Sequence, residues 1–469
     1  MKILLNNEVA RRISNILSNI TAEFVTLSYG TKLNKDGTSY MQVQAISPTA
    51  MIVEPVTVEL KPGKDEEIPE TEKVFVDIKT FTKLINAVCA YDEKIVLSIA
   101  EKQVNISTVK GQANVKLGRL ENRDMDVKNI NIKEMFIRAA VRENDLEQML
   151  SRAALRGGEN KDKSISVSFR IPEKLICAYG ANDGASSVVR KSIEAKFSDK
   201  DEETAKALRE KACEGSKLSS VDDYRVTISC SEIPVIKEFI QGSKTVQVLV
   251  DKTHLVIRAN IGILSIVLHS KEWATFRIVD KILATDPEAV WQFDAGEVDK
   301  ALNLLNISQS GESSKKAARL LIKDNKAAFV LPDNQGAKVD VKAKKGDTEM
   351  EILVDPMRLK RAITEKGNLL ISLITMQKGG IFIVSGGTLE EPNTDTVEMV
   401  TLCSSDENKS DKATKAEAPK KEEKAPAKAK EDADEVSSEE AEVEETVEDI
   451  DETEYETEDY SDEDIPFES

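Results

Sequence analysis

The sequence feature that most constrains the fold of this 469-residue chain is a pattern that recurs three times within its first 404 residues. Each copy begins with a short stretch in which apolar and polar residues alternate. About ten residues with helical apolar spacing follow, and three more alternating stretches, separated by short turns, complete the copy. Since alternation at period two predicts a strand and spacing near 3.6 predicts a helix, each copy predicts a βαβββ unit. The copies begin near residues 74, 225 and 350.

The helix of each copy has a recognisable start. Asp77, Ser231 and Asp355 stand where an N-cap side chain would accept a hydrogen bond from the first helical turn. Pro356 suits that first turn, because the N–H that proline lacks has no helical partner there. These residues predict where the three helices begin.

A weaker version of the same pattern precedes each copy. The segments KILLNNEVARRISNIL, MFIRAAVRENDLEQMLSRAALR and VWQFDAGEVDKALNLLNI each combine a strand with a helix, and alternating strands follow. For the insert at residues 198–222 we predict a polar surface helix. We therefore predict an α+β body of six βαβββ units, paired into three similar domains at residues 1–130, 131–284 and 285–404.

The acidic charge of the chain is concentrated near its C-terminus. Residues 405–469 hold 27 of the 84 acidic residues and 8 of the 65 basic residues, so they account for the whole net charge of −19. Residues 431–469 hold 21 acids and no base. Such a segment repels itself and has little apolar surface to bury. We predict that residues 405–469 form a disordered acidic tail on an electrically balanced body.

Several functional classes lack their sequence signals. No apolar run is long enough to cross a bilayer, and the N-terminus lacks the apolar stretch of a signal peptide. The five cysteines are scattered without a CxxC pair, and the two histidines, His254 and His269, stand alone, which disfavours a disulfide framework or a metal site. Neither a Gly-rich phosphate loop nor a paired nucleophile and base is recognisable. We expect a cytoplasmic protein that is not an enzyme and needs no cofactor or metal.

The order of the units resembles that of the bacterial-type DNA polymerase sliding clamp, the β clamp or processivity factor, over residues 1–404. Four segments carry the resemblance: GQANVKLGRL at 111–120, ANDGASS at 181–187, HSKEWATFRIV at 269–279 and VEMVTL at 397–402. They are similar, in the same order, to a domain-one strand, the ATDGHRL turn, the segment around FPDY and the VMPMRL terminus of that family.

The same segments also depart from the family pattern. Ser186 and Ser187 replace the Arg and Leu of the turn, and Ala274 replaces the Pro of the FPDY segment. Met399 and Thr401 replace the terminal Pro and Arg. These changes indicate a divergent clamp with a remodelled partner pocket, and they leave a viral origin open.

The resemblance implies a function in DNA replication. In the family, two chains close head to tail into a ring around duplex DNA, with helices lining the ring and sheets outside. The ring tethers the replicative DNA polymerase, and a clamp loader is a further partner, so the expected location is the nucleoid or replication site. The implied homodimer interface comprises Val115, Leu117, Leu304 and Ile307. The implied pocket for a polymerase peptide, between domains two and three, comprises Asn182, Gly184, Ser187, Ala274, Ile278, Val279, Met399 and Val400.

A ring that tethers topologically needs only non-specific attraction to phosphates. Basic residues recur on the six predicted helices, many of them late in the helix, while the acids concentrate in first turns, where the helix dipole favours them. We predict that the following residues contact double-stranded DNA: Arg11, Arg12, Lys79, Lys83, Arg152, Arg156, Lys237, Lys244, Lys300, Arg358, Lys360 and Arg361.

The end of the tail resembles the C-terminal tip of bacterial single-stranded-DNA-binding proteins, which closes with acids followed by Ile-Pro-Phe. Here Asp464, Ile465, Pro466 and Phe467 match, although two further residues follow the Phe. The resemblance implies that the tip enters an apolar pocket with a basic rim on a replication protein. A generic acidic solubility tail is the alternative.

A second class of protein also fits part of the sequence. An acidic-tailed single-strand-binding or scaffold protein would recruit replication proteins through the same tail. A single-strand binder stacks bases on aromatic side chains in a basic groove, and only 4% of the residues are aromatic. The sliding clamp is therefore the preferred interpretation.

Overall fold

The computed structural model describes most of the first 403 residues. Within that range it leaves out residues 36, 65, 122–133, 199–201, 217–218, 261, 270–274, 309–316, 324–325, 333–335, 346–348, 364–366 and 377–378, and it describes only the backbone of residues 275–278 and 343–345. Three parts of the predictions lie outside the described residues: the acidic tail including its tip, the pocket residue Ala274, and the side chain of Ile278.

The first four units of the fold follow the predicted order. Unit 1 consists of β1 (Lys2–Asn6), α1 (Asn7–Ser18), β2 (Phe24–Lys35), β3 (Thr38–Ile46) and β4 (Ala50–Lys61). Unit 2 consists of β5 (Glu72–Asp77), α2 (Ile78–Val88), β6 (Lys94–Ile99), β7 (Gln103–Thr108) and β8 (Asn114–Leu120). Unit 3 consists of β9 (Ile137–Arg142), α3 (Glu143–Gly157), β10 (Ser164–Arg170), β11 (Leu175–Ala181) and β12 (Ser187–Glu194), followed by the short β13 (Lys196–Phe197) and by α4 (Glu202–Cys213). Unit 4 consists of β14 (Asp223–Ser229), α5 (Ile233–Ile240), β15 (Thr245–Val250), β16 (His254–Ala259) and β17 (Gly262–Val267).

The last two units repeat the order after a linking helix, α6 (Thr275–Leu283), which the sequence patterns did not predict. Unit 5 consists of β18 (Ala289–Asp294), α7 (Ala295–Ser308), β19 (Ala318–Lys323), β20 (Lys326–Val330) and β21 (Gly336–Lys345). Unit 6 consists of β22 (Glu349–Val354), α8 (Pro356–Ala362), β23 (Asn368–Met376), β24 (Gly379–Gly387) and β25 (Pro392–Thr401). The predicted α+β class and the βαβββ order are confirmed.

Two of the three predicted helix caps are confirmed. The side chain of Asp77 accepts from the backbone N–H of Thr80 at 2.7 Å, and that of Asp355 accepts from Met357 at 2.9 Å. The prediction for Ser231 is wrong by two residues. Ser229 is the capping residue, because a 3-10 turn precedes α5 and shifts the start of the α-helix along the chain.

The predicted surface helix in the insert is present as α4, and it is not polar all round. Its Arg209 is only 4% exposed and donates to the backbone carbonyl of Phe136 at 2.9 Å, just before β9 begins. Leu208 and Ala212 pack against the core. The insert therefore closes over the start of β9 beside the sheet edge that ends in β13, where an exposed edge would otherwise invite pairing with another chain.

The strands of each successive unit pair interleave in the same way. The first strand of the odd-numbered unit joins the last three strands of the even-numbered unit, as in β1-β6-β7-β8, β9-β15-β16-β17 and β18-β23-β24-β25. The first strand of the even-numbered unit joins the rest of the odd one, as in β5-β2-β3-β4. Each unit pair therefore has two sheets.

These sheets continue from one unit pair to the next through their last strands. β4 of unit 1 pairs antiparallel with β17 of unit 4, with Ile52 opposite Leu264. β12 of unit 3 pairs antiparallel with β25 of unit 6, with Val188 opposite Met399. The result is one sheet of 13 strands and one of 12. The described residues belong to one compact unit, and the three-domain boundaries stay a prediction. The term domain one is used for units 1 and 2, domain two for units 3 and 4, and domain three for units 5 and 6.

Candidate nucleic-acid and partner interfaces

Six helices, one from each unit, form a continuous row in the order α2, α1, α5, α3, α8, α7. Within each domain two helices pack side by side, as α1 with α2, α3 with α5 and α7 with α8. Across the boundary between domains one and two, α1 contacts α5. Across the next boundary, Arg156 of α3 donates to the backbone carbonyl of Arg361 in α8 at 2.8 Å. The row begins with α2 and ends with α7.

An arginine on α1 fastens domain one to domain two. Arg12 forms an ion pair with Glu54 of β4, whose side chain is 3% exposed, and donates to the carbonyl of Phe239 at 3.1 Å. Phe239 lies in the last turn of α5, where backbone carbonyls lack helical partners. Burial raises the pKa of the Glu54 carboxyl, and Arg12 opposes that rise. We call this arrangement the first latch.

A second latch joins domains two and three in the same manner. Arg152 and Arg156 of α3 both form ion pairs with Glu398 of β25, whose side chain is 3% exposed; the Arg156–Glu398 distance is 2.9 Å. Arg156 also donates to a last-turn carbonyl of α8, as Arg12 does to α5. Both latches therefore carry an arginine from the helix of an odd-numbered unit to the carboxyl end of the helix of an even-numbered unit in the next domain.

The latches correct part of the predicted DNA surface. The Arg156 side chain is only 6% exposed and that of Arg152 only 14%, and both guanidinium groups are held by Glu398. Arg12 is similarly held by Glu54. These contacts do not fit a role in binding phosphates, because such a role requires a guanidinium that is free to leave its carboxylate. Arg156 continues the buried stripe formed by Leu146, Met149 and Ala153 of α3, a spacing that could have indicated its burial.

The remaining predicted DNA contacts lie on exposed or partly exposed helix surface. Arg11, Lys79, Lys83, Lys244 and Lys300 are exposed, and Arg11 donates to the backbone carbonyl of Cys89 at 2.9 Å. The others have partners: Lys237 with Glu147 at 2.9 Å, Arg358 with Asp355 at 3.3 Å, Arg361 with Glu159 at 3.4 Å, and Lys360 with the side chain of Asn303.

The predicted dimer residues lie at the two ends of the molecule. Leu304 and Ile307 of α7 are 50% and 69% exposed, and Val115 of β8 is partly exposed. Leu117, on the same face of β8 as Val115, is 5% exposed and packs into the core, and its place in the interface stays a prediction.

A comparison of α3 with α7 shows what the exposed residues of α7 correspond to. Each helix follows a six-residue strand directly. Their buried apolar residues fall at the same positions, namely Leu146, Met149, Leu150 and Ala153 in α3 and Val298, Ala301, Leu302 and Leu305 in α7. Leu304 therefore corresponds to the latch residue Arg152, and Ile307 corresponds to Leu155, which is 58% exposed.

Two residues of the predicted partner pocket, Val279 and Met399, belong to a small apolar cluster between domains two and three. Val279 of α6, Met399 of β25 and Val188 of β12 pack together there and are buried. Met399 and Val279, predicted as pocket residues, are 4% and 2% exposed. Val400 is misplaced in the prediction, since successive strand residues face opposite ways and its side chain packs into the domain-three core instead.

The turn at residues 182–186 borders this cluster. Asn182 accepts from the N–H of Ser187 at 2.9 Å, and Gly184 and Ala185 both have left-handed backbone conformations, with φ of 74° and 52°. A non-glycine residue in that region is strained. Ala185 packs against the cluster, whereas Ser187 is 4% exposed. Among the predicted pocket residues whose side chains or backbone surface the structure describes, Asn182 and Gly184 are thus the accessible ones.

Charged residues that the sequence did not single out hold α6 in place. Asp280 of α6 forms ion pairs with Arg170 at 2.8 Å and with Arg225 at 3.2 Å, and it accepts from the hydroxyl of Tyr179 at 3.0 Å. Burial raises the pKa of Tyr179, so the hydroxyl stays protonated and can donate. Their spacing in sequence gives no signal, since the residues come from three strands and a helix.

The residues that the structure describes include no group of three or more His, Cys, Asp or Glu side chains placed to hold a metal ion. Of the helices among them, none is both long and apolar enough to span a membrane.

Comparison with solved structures identifies the fold. The DNA polymerase III beta subunit of Thermotoga maritima superposes with a TM-score of 0.63 at 13% identity, covering 86% of this chain and 99% of that one. The beta subunit of Pseudomonas aeruginosa gives 0.64 at 11% identity, covering 86% and 100%. The Helicobacter pylori beta clamp, solved with a DNA ligase peptide, gives 0.62 at 12% identity, covering 86% and 100%. No protein-family model and no curated protein sequence matches this chain. The body therefore resembles bacterial sliding clamps and has their fold.

The second latch gives a direct prediction about stability. Replacing Glu398 by alanine leaves two buried arginines without their carboxylate, a change that typically costs about 3–5 kcal/mol of unfolding free energy. Asp395→Ala, an exposed position on the same strand, is the matched control and should cost less than about 1 kcal/mol. Urea unfolding measures both, and equal losses in the two variants would contradict the latch.

Proposed function

We propose that this protein is a DNA sliding clamp: two copies close head to tail into a ring that encircles duplex DNA and tethers a DNA polymerase. The observation that carries the proposal is that the last strand of an odd-numbered unit pairs with the last strand of an even-numbered unit in another domain. β4 of unit 1 pairs with β17 of unit 4, and β12 of unit 3 pairs with β25 of unit 6. In the described part of the chain, the last strands of units 2 and 5, β8 and β21, have no such partner from another domain. They belong to the units at opposite ends of the helix row.

The free strand edges support pairing of β8 with β21 of a second copy. Within the described residues, residues 114–118 of β8 pair with β7 alone, and residues 336–340 of β21 pair with β20 alone. β21 is the last strand of its unit, as β4 is, and β8 is the last strand of its unit, as β17 is. When the register of the β4–β17 pair is transferred to β21 and β8, Ala337 lies opposite Val115, as Ile52 lies opposite Leu264. Two such junctions between two copies, related by a two-fold axis, close a ring whose sheets have no free edge at the junctions.

The helix row supports the same closure. At the formed boundaries α1 meets α5 and α3 meets α8, so α7 would meet α2 of the second copy. Leu304, which corresponds to the latch residue Arg152, would then be covered. The third junction is thus an apolar version of the two latched ones. Twice six unit helices would line the ring.

A closed ring explains how the protein could act without chemistry of its own. Topological linkage prevents dissociation while the duplex passes through, so tight or sequence-specific contacts are unnecessary. The protein is therefore proposed to be non-enzymatic and to need no cofactor. A clamp loader would open one junction, and the complex would act where DNA is replicated.

Polymerase binding is assigned to the region around α6. The apolar cluster formed by Val279, Met399 and Val188 lies beneath a strained turn, and strain of this kind often accompanies binding sites. The Helicobacter pylori clamp was solved with a DNA ligase peptide, which supports peptide recognition by this fold. The alternative of a single-strand-binding scaffold is not favoured, because no feature of the fold calls for it.

The tail is proposed to engage a basic surface of a replication protein through its tip. Acids would steer the encounter and Phe467 would anchor it, because binding energy usually centres on a buried aromatic residue. Phe467→Ala should weaken binding to purified replication proteins by about tenfold or more, whereas Tyr460→Ala, elsewhere in the tail, should change it little. Deleting residues 405–469 should leave the dimer and its retention on DNA intact. Equal binding by the two aromatic variants would reduce the tail to a solubility device.

The proposed function is tested with nicked circular plasmid. The protein should have about twice the chain mass of 51.8 kDa in solution. Once loaded, it should stay on the circle through gel filtration in high salt and leave after a restriction enzyme linearises the plasmid. A monomer or trimer, or equal retention on linear and circular DNA, would overturn the proposal.

A further inference from the structure

The charges on the helix row differ between the three domains once the latches are taken into account. Arg12 is paired with Glu54, Arg152 and Arg156 share Glu398, and Arg156 also lies 3.6 Å from Glu159. The charge that the helix row presents to a duplex is therefore set by the other charged residues of the helices. The net charge of these residues differs in sign from one domain to the next.

Domain one presents a positive surface. Its helices α1 and α2 carry Arg11, Lys79 and Lys83, all exposed, against two acids, Glu8 and the N-cap residue Asp77. Among the described residues, neither lysine forms an ion pair. Lys79 and Lys83 lie one helical turn apart on α2, so both can face the same phosphate backbone.

Domain two presents a negative surface. The first half of α3 carries Glu143, Asp145 and Glu147, and the latch has taken both arginines of that helix. Lys237 of α5 is paired with Glu147 at 2.9 Å and is followed by Glu238. Counting the exposed Arg142 and Lys244 at the helix ends, four acids stand against three bases here, so the middle of the row offers phosphates no net attraction.

Domain three returns to positive charge through α8. Its Arg358 and Arg361 are 42% and 55% exposed, and their partners, Asp355 and Glu159, also reach solvent. Exposed pairs of this kind are weak, so both arginines can exchange a carboxylate for a phosphate. The neighbouring α7 contributes Lys300 against two acids.

We infer that the duplex is gripped at the two subunit junctions, by α1 and α2 of one copy together with α8 of the other, and not by domain two. This inference rests on the proposed function, since it is the ring that brings domain one beside domain three. The ligand is the sugar–phosphate backbone of double-stranded DNA. The ring then holds the duplex through two positive zones separated by two negative ones.

The inference is tested by two variants that each remove two positive charges. Lys79→Ala with Lys83→Ala removes charge from the junction zone, and Lys237→Ala with Lys244→Ala removes it from domain two. Binding to a short linear duplex is measured at several salt concentrations. The slope of log K against log salt is negative, and each lost phosphate contact reduces its magnitude by about 0.9. We expect the magnitude to fall by about 1.8 for the first variant and to stay unchanged for the second.

The outcomes separate this inference from the proposed function. Equal slopes for the two variants, or a larger effect in domain two, would overturn the inference while retention on nicked circles still stood. Loss of circle-specific retention in the wild-type protein would overturn the proposed function itself. Circular dichroism spectra that match the wild type are expected for both variants, because all four lysines are at the surface.

Discussion

Replacing Leu304 by aspartate is expected to convert the dimer into monomers. The side chain is 50% exposed in the single chain, and its counterpart Arg152 is 14% exposed at a formed boundary. Closure should therefore bury the new carboxylate at the junction, which costs several kcal/mol when no partner neutralises it. Since each 1.4 kcal/mol is a factor of ten in affinity, the dissociation constant should rise by about a hundredfold or more. Sedimentation at several concentrations measures it.

Ile307→Asp is the matched control for this experiment. It introduces the same charge one turn later on α7, but its counterpart Leu155 stays 58% exposed at a formed boundary. We therefore expect Ile307→Asp to raise the dissociation constant by less than about tenfold. A stable Leu304→Asp dimer, or a stronger effect at Ile307, would show that α7 does not repeat the geometry of α3.

A disulfide between Val115→Cys and Ala337→Cys is expected to join two copies covalently. The transferred register places these two residues directly opposite, and both side chains are partly buried on the inner face of their sheets. Opposite residues in an antiparallel pair have Cα atoms about 4.5–5.5 Å apart, which lies within the range that a disulfide spans. Mild oxidation should convert most of the protein into a species of twice the chain mass on a non-reducing gel.

The register itself is tested by moving one cysteine by one residue. Lys116→Cys with Ala337→Cys places one thiol on the opposite face of β8, because successive strand residues alternate. That pair should not cross-link, and neither should the wild-type protein with its five free cysteines. Efficient cross-linking of the shifted pair, or none by the first pair, would contradict the pairing of β8 with β21.

The sequence was sufficient to predict the repeating units because their signals are local. Alternation, helical spacing and the caps Asp77 and Asp355 each depend on residues a few positions apart. Ser231 was mistaken for a cap because sequence alone does not distinguish a 3-10 turn from the first turn of an α-helix. The helix α6 was missed because its residues were interpreted through a resemblance and not through their spacing.

The latches could not be predicted because their parts are distant in sequence. Arg12 meets a strand 42 residues later and a helix 227 residues later, and Arg156 meets Glu398 across 242 residues. One local signal was available: Glu54 occupies the same face of β4 as the buried residues Ile52 and Val56. A carboxylate in a core register requires a cationic partner, which would have directed attention to the arginines of the neighbouring helices.

The error in the candidate partner pocket comes from the direction of a side chain. Val400 was placed in the partner pocket because a family match assigns a position in the sequence and not the direction of a side chain. In a strand, a shift of one residue reverses that direction. Leu304 was placed correctly at the end of α7, but only the comparison with α3 distinguishes its expected burial from that of Ile307.

The most direct measurement of the central claim, that the protein encircles DNA, uses the cross-linkable ring. Reduced Val115→Cys, Ala337→Cys protein is mixed with nicked circular plasmid, oxidised, and challenged with high salt. The covalently closed dimer should stay on the circle under conditions that strip the reduced protein, and linearising the plasmid should release it without breaking the disulfides. Protein oxidised before mixing should not be retained at all. If the cross-linked dimer leaves intact circles in high salt, or is retained equally on linear DNA, the protein does not encircle the duplex.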